Sequence, residues 1–579
     1  MRTVAGAMRR TEEVAPPLPK VRTPIVFAAL LVLFVGLAGR SLYLQWIDNG
    51  FLQEQGSSRY SRDIEVPAHR GRIVDRFGDP LAISTPVKAV WAWPDQVDAT
   101  PDQLKALAAA LDLPTTALKQ KLAQGGDFVY LKKPVAPQAA AHIAALKIDG
   151  IHDENEYWRY YPGGEVMSQI VGFTGDRDVG QEGIELAQQS WLGGHPGSRR
   201  VIINRRGEIV EDVASIRAPQ EGRDLALSID SRLQYLAFRE LKAAVEVNKA
   251  RAGALVMLDA KTGEILALAN WPAFNPNNRQ RTTRDHMRNR ALIDTFEPGS
   301  TLKPFTVAAA LDAGKVSPQT IIDTAPGTLT IGHATIHDAH REGALTVEQV
   351  IQKSSNVGAA KIALSLPAET MWQMLSGAGF GAQPRTGFPG EVSGRLRAAK
   401  TWRPIEQATM AYGHGISVNL VQLARAYTVF ASDGELKPVS LLKVDGAVAG
   451  RPVITPQTAR AVRHMLEMVV QPGGTAPKAQ ISGYRVAGKT GTAHKLDGRV
   501  YGDKYVSSFV GFAPVSNPRL IVAVMLDEPG AGQYYGGTVA APVFADVMGG
   551  ALRLLGVAPD APANTVVVPA DAVAVREET

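Results

Sequence analysis

Nine residues constrain this chain more than any others: Phe296-Glu-Pro-Gly-Ser-Thr-Leu-Lys-Pro304. The pair Pro298-Gly299 marks a turn. The pattern from Thr306 to Ala313 predicts a helix, and Pro304, which lacks an N–H, is tolerated only in a helix's first turn. The helix therefore cannot begin much before Ser300. Residues three apart on a helix share a face, so Ser300 and Lys303 are expected side by side at a helix N-terminus. A serine becomes a nucleophile when an adjacent base takes its proton, and a neutral amine can be that base. A free lysine titrates near ~10.4, so neutrality at pH ~7 costs roughly 4–5 kcal/mol. Burial, a second cation nearby and the positive end of a helix all reduce that cost. The stretch supplies the third of these; the second cation must come from elsewhere in the chain.

Ser-x-x-Lys is weak on its own. Ser440-Leu-Leu-Lys443 repeats it inside a short apolar run, 439–444, that predicts a strand. Two further motifs follow Ser300 in order, Ser354-Ser-Asn356 and Lys489-Thr-Gly491, and each also has a decoy. Lys261-Thr-Gly263 precedes the serine and suits a hairpin turn between apolar runs at 254–259 and 264–269, with Gly263 where positive φ is wanted. Ser417-Val-Asn419 is a second Ser-x-Asn. What carries weight is the ordered set with each member in a suitable element, a triple known from active-serine penicillin-recognising enzymes.

The 579 residues suit about three or four domain-sized units. With 62 basic and 56 acidic residues the net charge is only +6, which argues against nucleic-acid binding. The absence of cysteine excludes disulfides, thiol catalysis and Cys-ligated metal sites, and fits an oxidising compartment. Nothing in the pattern calls for a cofactor or a metal.

Residues 1–23 are polar and basic, and are expected to be a cytoplasmic tail. An uncharged apolar run from Pro24 to Gly39 is interrupted by Arg40-Ser41 and continues to Ile47. Counted through, it is long enough for a bilayer, which needs about 20 helical residues. Tyr43 and Trp46 suit an interfacial belt. Gly36-Leu-Ala38 also fits a signal-peptide cleavage site, but the apolar character persists past it, which favours an uncleaved anchor at 24–47. A buried core helix is a third reading. The first two place the remainder outside the cytoplasm.

Residues 48–222 contain short strand-like runs and turns, including His69-Arg-Gly-Arg-Ile-Val-Asp-Arg-Phe-Gly78 and a hairpin around Arg205-Arg-Gly207. The stretch from Thr100 to Leu146 reads as largely helical, broken at Gly125-Gly126 and Pro134. No constellation here does chemistry, so a structural and docking module is expected. From 223 to 558 two strands come early (near 254–259 and 264–269) and three late (484–492, 505–513, 520–526), with helices inserted between them. Sequential strands usually neighbour, which predicts one largely antiparallel sheet of about five strands covered by helices. Residues 559–579 read as a disordered tail.

At these motifs the chain resembles a class B penicillin-binding protein, a monofunctional peptidoglycan D,D-transpeptidase. Phe-Glu-Pro-Gly-Ser-Thr-Leu-Lys-Pro, Lys353-Ser-Ser-Asn-Val-Gly358 and Tyr412-Gly-His-Gly-Ile-Ser-Val418 resemble the division-specific (septal, FtsI-type) branch, and Arg70-Gly-x-Ile-x-Asp-Arg-x-Gly78 resembles that class's N-terminal pedestal. The resemblance implies an α/β (α+β) penicillin-binding transpeptidase fold, like that of serine β-lactamases. It adds an elongated β-rich pedestal, of the dimerisation type, and one transmembrane helix with the catalytic domain in the periplasm. It implies that Ser300 attacks the carbonyl between two D-alanines of a stem pentapeptide, giving an acyl-enzyme, and that Lys303 takes its proton. Ser354 would relay a proton to the leaving amine, and Asn356 would hold Lys303 and the substrate amide. Lys489 would be the second cation, Thr490 and Thr492 would bind the terminal carboxylate, and Gly491 would leave room for substrate along the strand edge. The N–H groups of Ser300 and Thr492 would form an oxyanion hole, worth roughly 3–4 kcal/mol per donor. An acceptor amine completes the cross-link, β-lactams acylate the same serine, and a SEDS-type glycosyltransferase and division proteins are the implied partners. Tyr412, His414, Tyr534 and Tyr535 are candidates for walls of the site, or for plain core and loop packing; the family often has an aromatic where His414 stands.

Three other functions share parts of this pattern. A class A β-lactamase would add a Glu-x-x-Leu-Asn loop, and none lies between Asn356 and Lys489. A membrane-anchored D,D-carboxypeptidase fits the chemistry but usually lacks so large a segment before the serine. A β-lactam-binding scaffold or sensor without essential catalysis is disfavoured because 23 residues leave no space for a cytoplasmic output domain.

Overall fold

The computed structural model describes residues 21–46, 61–66, 68–125, 128–175, 178–203, 209–446, 448–497 and 500–562. The expected tails at 1–23 and 559–579 lie mostly outside these residues, as does the turn Arg205-Arg-Gly207. Contacts divide the chain into two compact units, 1–68 with 195–220 and 69–194 with 221–579.

In the first unit, helix Arg22–Trp46 runs for 25 residues with none buried, so it is not a core helix; it is long and apolar enough to cross a membrane. The strands Ser61–Val66, Gly197–Ile203 and Ile209–Arg217 form an antiparallel sheet in that order. The last two are the arms of the predicted hairpin.

The second unit carries a five-stranded antiparallel sheet in the order Ile265–Trp271, Ala252–Asp259, Leu520–Asp527, Val500–Ala513, Ala487–Asp497. The two early strands form the expected hairpin. The late strands join it through Leu520–Asp527, which pairs with Ala252–Asp259. Every residue of these two strands is buried, as continuous apolar runs require when both faces are covered. Helices Ser231–Val247 and Ala541–Leu554 pack together on one face, and Leu420–Ala426 and Pro456–Val470 pack against the sheet from the other. Ala487–Asp497 lies at the end of the strand order, so among the described residues its outer edge has no strand beside it.

The 69–194 part of this unit differs from expectation at one element. The stretch Val129–Val135 is a strand, not helix, between helices Thr115–Ala123 and Pro137–Ala145. Among the described residues it pairs with Pro80–Ala92 on one side only, and an edge position is where a strand tolerates Pro134. Its Leu131 and Val135 join a small core of their own with Leu107, Leu111, Leu118 and Ile143. The Arg70-to-Gly78 motif serves structure. Buried Arg70 and Arg159 both bind the Glu185 carboxylate, at 2.6 and 2.7 Å. Asp75 accepts from the N–H groups of Phe77 and Asp79, closing the turn, and from the Ser231 hydroxyl at 2.8 Å.

The helix expected after Ser300 is Lys303–Asp312, entered through a 3₁₀ turn, Gly299–Leu302. Its core anchor is Tyr427, wholly buried, whose hydroxyl donates to the Thr301 carbonyl at 2.9 Å. Burial holds that phenol well above its usual range, so it remains a donor. Tyr427→Phe is expected to destabilise the fold by about 1–2 kcal/mol, because a buried carbonyl loses its donor. Urea unfolding of the variant checks this.

Candidate active site

Three consecutive features put Ser300 and Lys303 together. Gly299 has φ +56°, a conformation glycine adopts without strain, and it opens the turn. In the 3₁₀ turn that follows, residues three apart eclipse one another. Pro304 occupies the first turn of the helix. The Lys303 Nζ lies 2.9 Å from the Ser300 Oγ, and both side chains are buried.

The second motif is shaped by a break between helices. Val347–Lys353 ends at Ser354, which has φ +63°, a costly conformation for a residue with a Cβ. The break turns both Ser354 oxygens toward Lys303: Nζ donates to the Ser354 carbonyl and lies 3.0 Å from its Oγ. Ser355 then caps the next helix, Asn356–Leu364, by accepting from the Gly358 N–H. The Asn356 side-chain amide donates to the His337 carbonyl at 3.0 Å.

The third motif lies on Ala487–Asp497. Lys489 is fully buried, and its Nζ is 2.9 Å from the same Ser354 Oγ and 3.1 Å from the Thr490 Oγ1. One hydroxyl thus sits between two amines brought from positions far apart in the chain. Two buried ammonium groups so placed repel, which favours one of them neutral. The Thr490 hydroxyl also meets that of Thr475 at 2.9 Å, and the Thr492 hydroxyl accepts from the Gly536 N–H at 3.0 Å. Gly491 differs from the sequence reading. A Cβ there would lie 2.5 Å from the Ser508 Oγ, 2.8 Å from the Pro298 carbonyl and 3.0 Å from the Thr301 Cγ2. The space is occupied by the serine-bearing turn, which presses on the strand, so glycine is needed for that approach. Gly299 sits against the Thr492 carbonyl from the other partner's side, where a Cβ would come to 3.3 Å.

The decoys resolve as structure. Gly263 has φ +74° in its hairpin turn, and a Cβ there would run into the Pro438 carbonyl. Asn419 caps helix Leu420–Ala426 and donates to the Val392 carbonyl. Ser440 and Leu442 make isolated bridges, to Glu264 and Leu227.

The four wall candidates fall on one line of rings: Tyr412, His414, Tyr501, His494, Tyr505, Tyr534 and Tyr535, each in ring contact with the next. Tyr505 stacks on Tyr534 with centroids 4.0 Å apart. His494 on Ala487–Asp497 and Tyr501 and Tyr505 on Val500–Ala513 complete the line, and no sequence signal pointed to them. Burial, with smaller effects of His494 and Lys303, pushes the His414 imidazole down to about 4.

Sequence reasoning also missed Asp338. Its carboxylate accepts from the Ser355 hydroxyl at 2.7 Å, the Asn356 N–H at 2.5 Å and the Val357 N–H at 2.9 Å. It places negative charge at a helix N-terminus and holds the second motif in place. Nothing near it in sequence pointed to that role. Asp338→Asn is expected to slow acylation by a β-lactam about ten- to a hundredfold, the effect of one or two weakened charge-assisted hydrogen bonds. Stopped-flow acylation kinetics check it.

Comparison with known proteins places the chain in a family. The penicillin binding protein transpeptidase domain family matches residues 253–549, and the penicillin-binding protein dimerisation domain family matches 65–227. The chain is 44% identical over 549 residues to the peptidoglycan D,D-transpeptidase FtsI of Escherichia coli, covering 93% of each chain. The chain belongs to the class B penicillin-binding proteins, in their FtsI-type division-specific branch. It is also 43% identical over 566 residues to the probable peptidoglycan D,D-transpeptidase PenA of Neisseria meningitidis, covering 96% of this chain and 97% of the relative. A solved transpeptidase domain of penicillin-binding protein 3 from Burkholderia pseudomallei is similar with a TM-score of 0.54 and 52% identity, covering 58% of this chain and 98% of that one. In this penicillin-binding protein the three motifs thus lie inside the matched transpeptidase region.

Proposed function

We propose that this protein is a serine-type peptidoglycan D,D-transpeptidase that cross-links stem peptides during septal wall synthesis. The observation that carries the reading is the shared hydroxyl: Ser354 Oγ between Lys303 and Lys489, with Ser300 on the far side of Lys303. Lys489 disfavours a proton on Lys303, and the uncharged amine takes the Ser300 proton as Oγ attacks the carbonyl between the two terminal D-alanines. The carbon–nitrogen bond breaks, and Ser354 passes a proton to the departing D-alanine amine. The N–H groups of Ser300 and Thr492 hold the oxyanion, and the unpaired edge of Ala487–Asp497 receives the donor peptide as an added strand. The hydroxyls of Thr490 and Thr492, with Lys489, bind the terminal carboxylate. An acceptor amine then replaces the serine ester.

β-Lactams acylate the same serine. Residues 24–47 anchor the chain with the N-terminus cytoplasmic and residues 223–558 periplasmic, the segment 48–222 serves as a pedestal, and the partners are a SEDS-type glycosyltransferase and division proteins. The anchor is supported by the apolar helix, and the pedestal and the division-linked role by the likeness to the dimerisation domain family and to FtsI. Fluorescent penicillin labelling followed by mass spectrometry of the adduct tests the core of the reading. Label is expected on Ser300 and absent from Ser300→Ala; label elsewhere, or persisting in the variant, overturns it.

A further inference from the structure

The serine-bearing turn also carries a carboxylate that the donor chemistry above does not use. Glu297 stands three residues before Ser300, which limits their Cα separation to about 11 Å even with the chain extended. Its side chain is only 10% exposed. It accepts from the Gly415 N–H at 2.9 Å and from the Tyr501 hydroxyl at 3.1 and 3.2 Å. The His414 Nδ1 also lies 3.7 Å from it, on an imidazole that burial keeps uncharged at neutral pH. Among the described residues no lysine or arginine pairs with it, and burial pushes its carboxyl above the usual range.

A mostly buried carboxylate served by neutral donors lacks the counter-charge that would offset its desolvation. The rings around it suit a cation. Tyr501 is 45% exposed, and its ring lies 5.6 Å from that of His414, which in turn lies 5.2 Å from Tyr412. A carboxylate with flanking aromatic faces is the recognition chemistry of an ammonium group. The whole cluster is tied to the nucleophile's turn. Gly413 packs so closely on Gly299 that a Cβ would lie 2.3 Å from the Gly299 carbonyl.

We propose that Glu297, with the Tyr501 and His414 rings, forms the subsite that captures the ammonium of the acceptor strand in the second half of the reaction. This rests on the acyl-enzyme reading above. An acceptor amine arrives at neutral pH as a cation, whereas water does not, so the subsite concentrates the amine over its competitor. The held ammonium sheds its extra proton to solvent. The amine nitrogen then bonds to the ester carbonyl carbon, the carbon–Oγ bond breaks, and a second amine proton passes to Ser300 Oγ. The bond count and charge balance without any further reactant.

The test starts from acyl-enzyme formed with a D-alanyl thioester donor, so that changes in acylation drop out. The ratio of transfer to hydrolysis is measured with D-alanine as acceptor and, in parallel, with D-lactate, which presents an uncharged hydroxyl on the same frame. In Glu297→Gln the D-alanine ratio is expected to fall about tenfold or more, as for loss of one charge partner, with the D-lactate ratio held. Tyr501→Leu is expected to fall in the same direction, and Tyr501→Phe less. An unchanged D-alanine ratio in Glu297→Gln, or an equal fall with both acceptors, overturns the subsite while leaving the acyl-enzyme intact. If the wild-type protein forms no ester at Ser300, the reading of the function fails and the subsite falls with it.

Discussion

Lys303→Arg is expected to abolish acylation, with a loss of about a thousandfold or more in the second-order rate of penicillin labelling. General-base assistance contributes typically about 10²–10⁴-fold. A guanidinium cannot be deprotonated in a protein, so the substitution keeps a cation and removes the base. The site makes the outcome sharper. The Lys303 Nζ is enclosed by the Ser300 Oγ, the Ser354 carbonyl and the Ser354 Oγ, with no exposure to solvent that could substitute for it. Because arginine is the larger side chain in a fully buried position, Lys303→Met serves as a companion of similar length without charge. Both variants are to be compared with wild type by thermal unfolding. Retained acylation in a folded Lys303→Arg protein would defeat the amine-as-base mechanism.

Gly491→Ala is expected to slow acylation by about ten- to a hundredfold, less than the loss of the base, for a steric reason. The new Cβ would stand 2.5 Å from the Ser508 Oγ and 2.8 Å from the Pro298 carbonyl. The hydroxyl can rotate away, but the carbonyl belongs to the turn that presents Ser300. Strand and turn must then separate by several tenths of an ångström; a misplacement of about 1 Å can cost about a hundredfold, so this smaller shift is expected to cost about ten- to a hundredfold when donor groups and nucleophile lie on the two sides. Overpacking also destabilises, typically by about 1–3 kcal/mol. The measurement is acylation rate beside unfolding midpoint. A full rate with a lowered midpoint would mean that the turn moves as one body with the strand.

Legibility varied along the chain for identifiable reasons. The Ser300–Lys303 pair was readable because Gly299 and Pro304 dictate the backbone on both sides of it, so local rules sufficed. The hairpin of Ala252–Asp259 and Ile265–Trp271 was readable for the same reason, through the turn at Gly263. The strand Val129–Val135 was misread because alanine and leucine on both sides suggested a helix, while its own pairing with Pro80–Ala92 is a contact between distant segments. Asp338 had no signature, and Glu297, although inside the nine-residue stretch around Ser300, had none for the role given to it. One gains its role by meeting residues 355–357, and the other by meeting Gly415 and Tyr501. At Gly491 the sequence reading gave the space to substrate, and the structure adds a need that only folding reveals, the close approach of the Pro298 carbonyl and the Ser508 hydroxyl.

The amino-acid order by itself determined which groups can react and the backbone at each motif, because Pro, Gly and helix-capping residues act over a few neighbouring positions. Folding in three dimensions decided everything that depends on distance across the chain. It brought Lys489 to a hydroxyl 135 residues away and set the order of the five strands. It also lined up seven rings and gave two carboxylates their partners. Periodicity says which face a residue occupies, but only packing selects the neighbour it meets there.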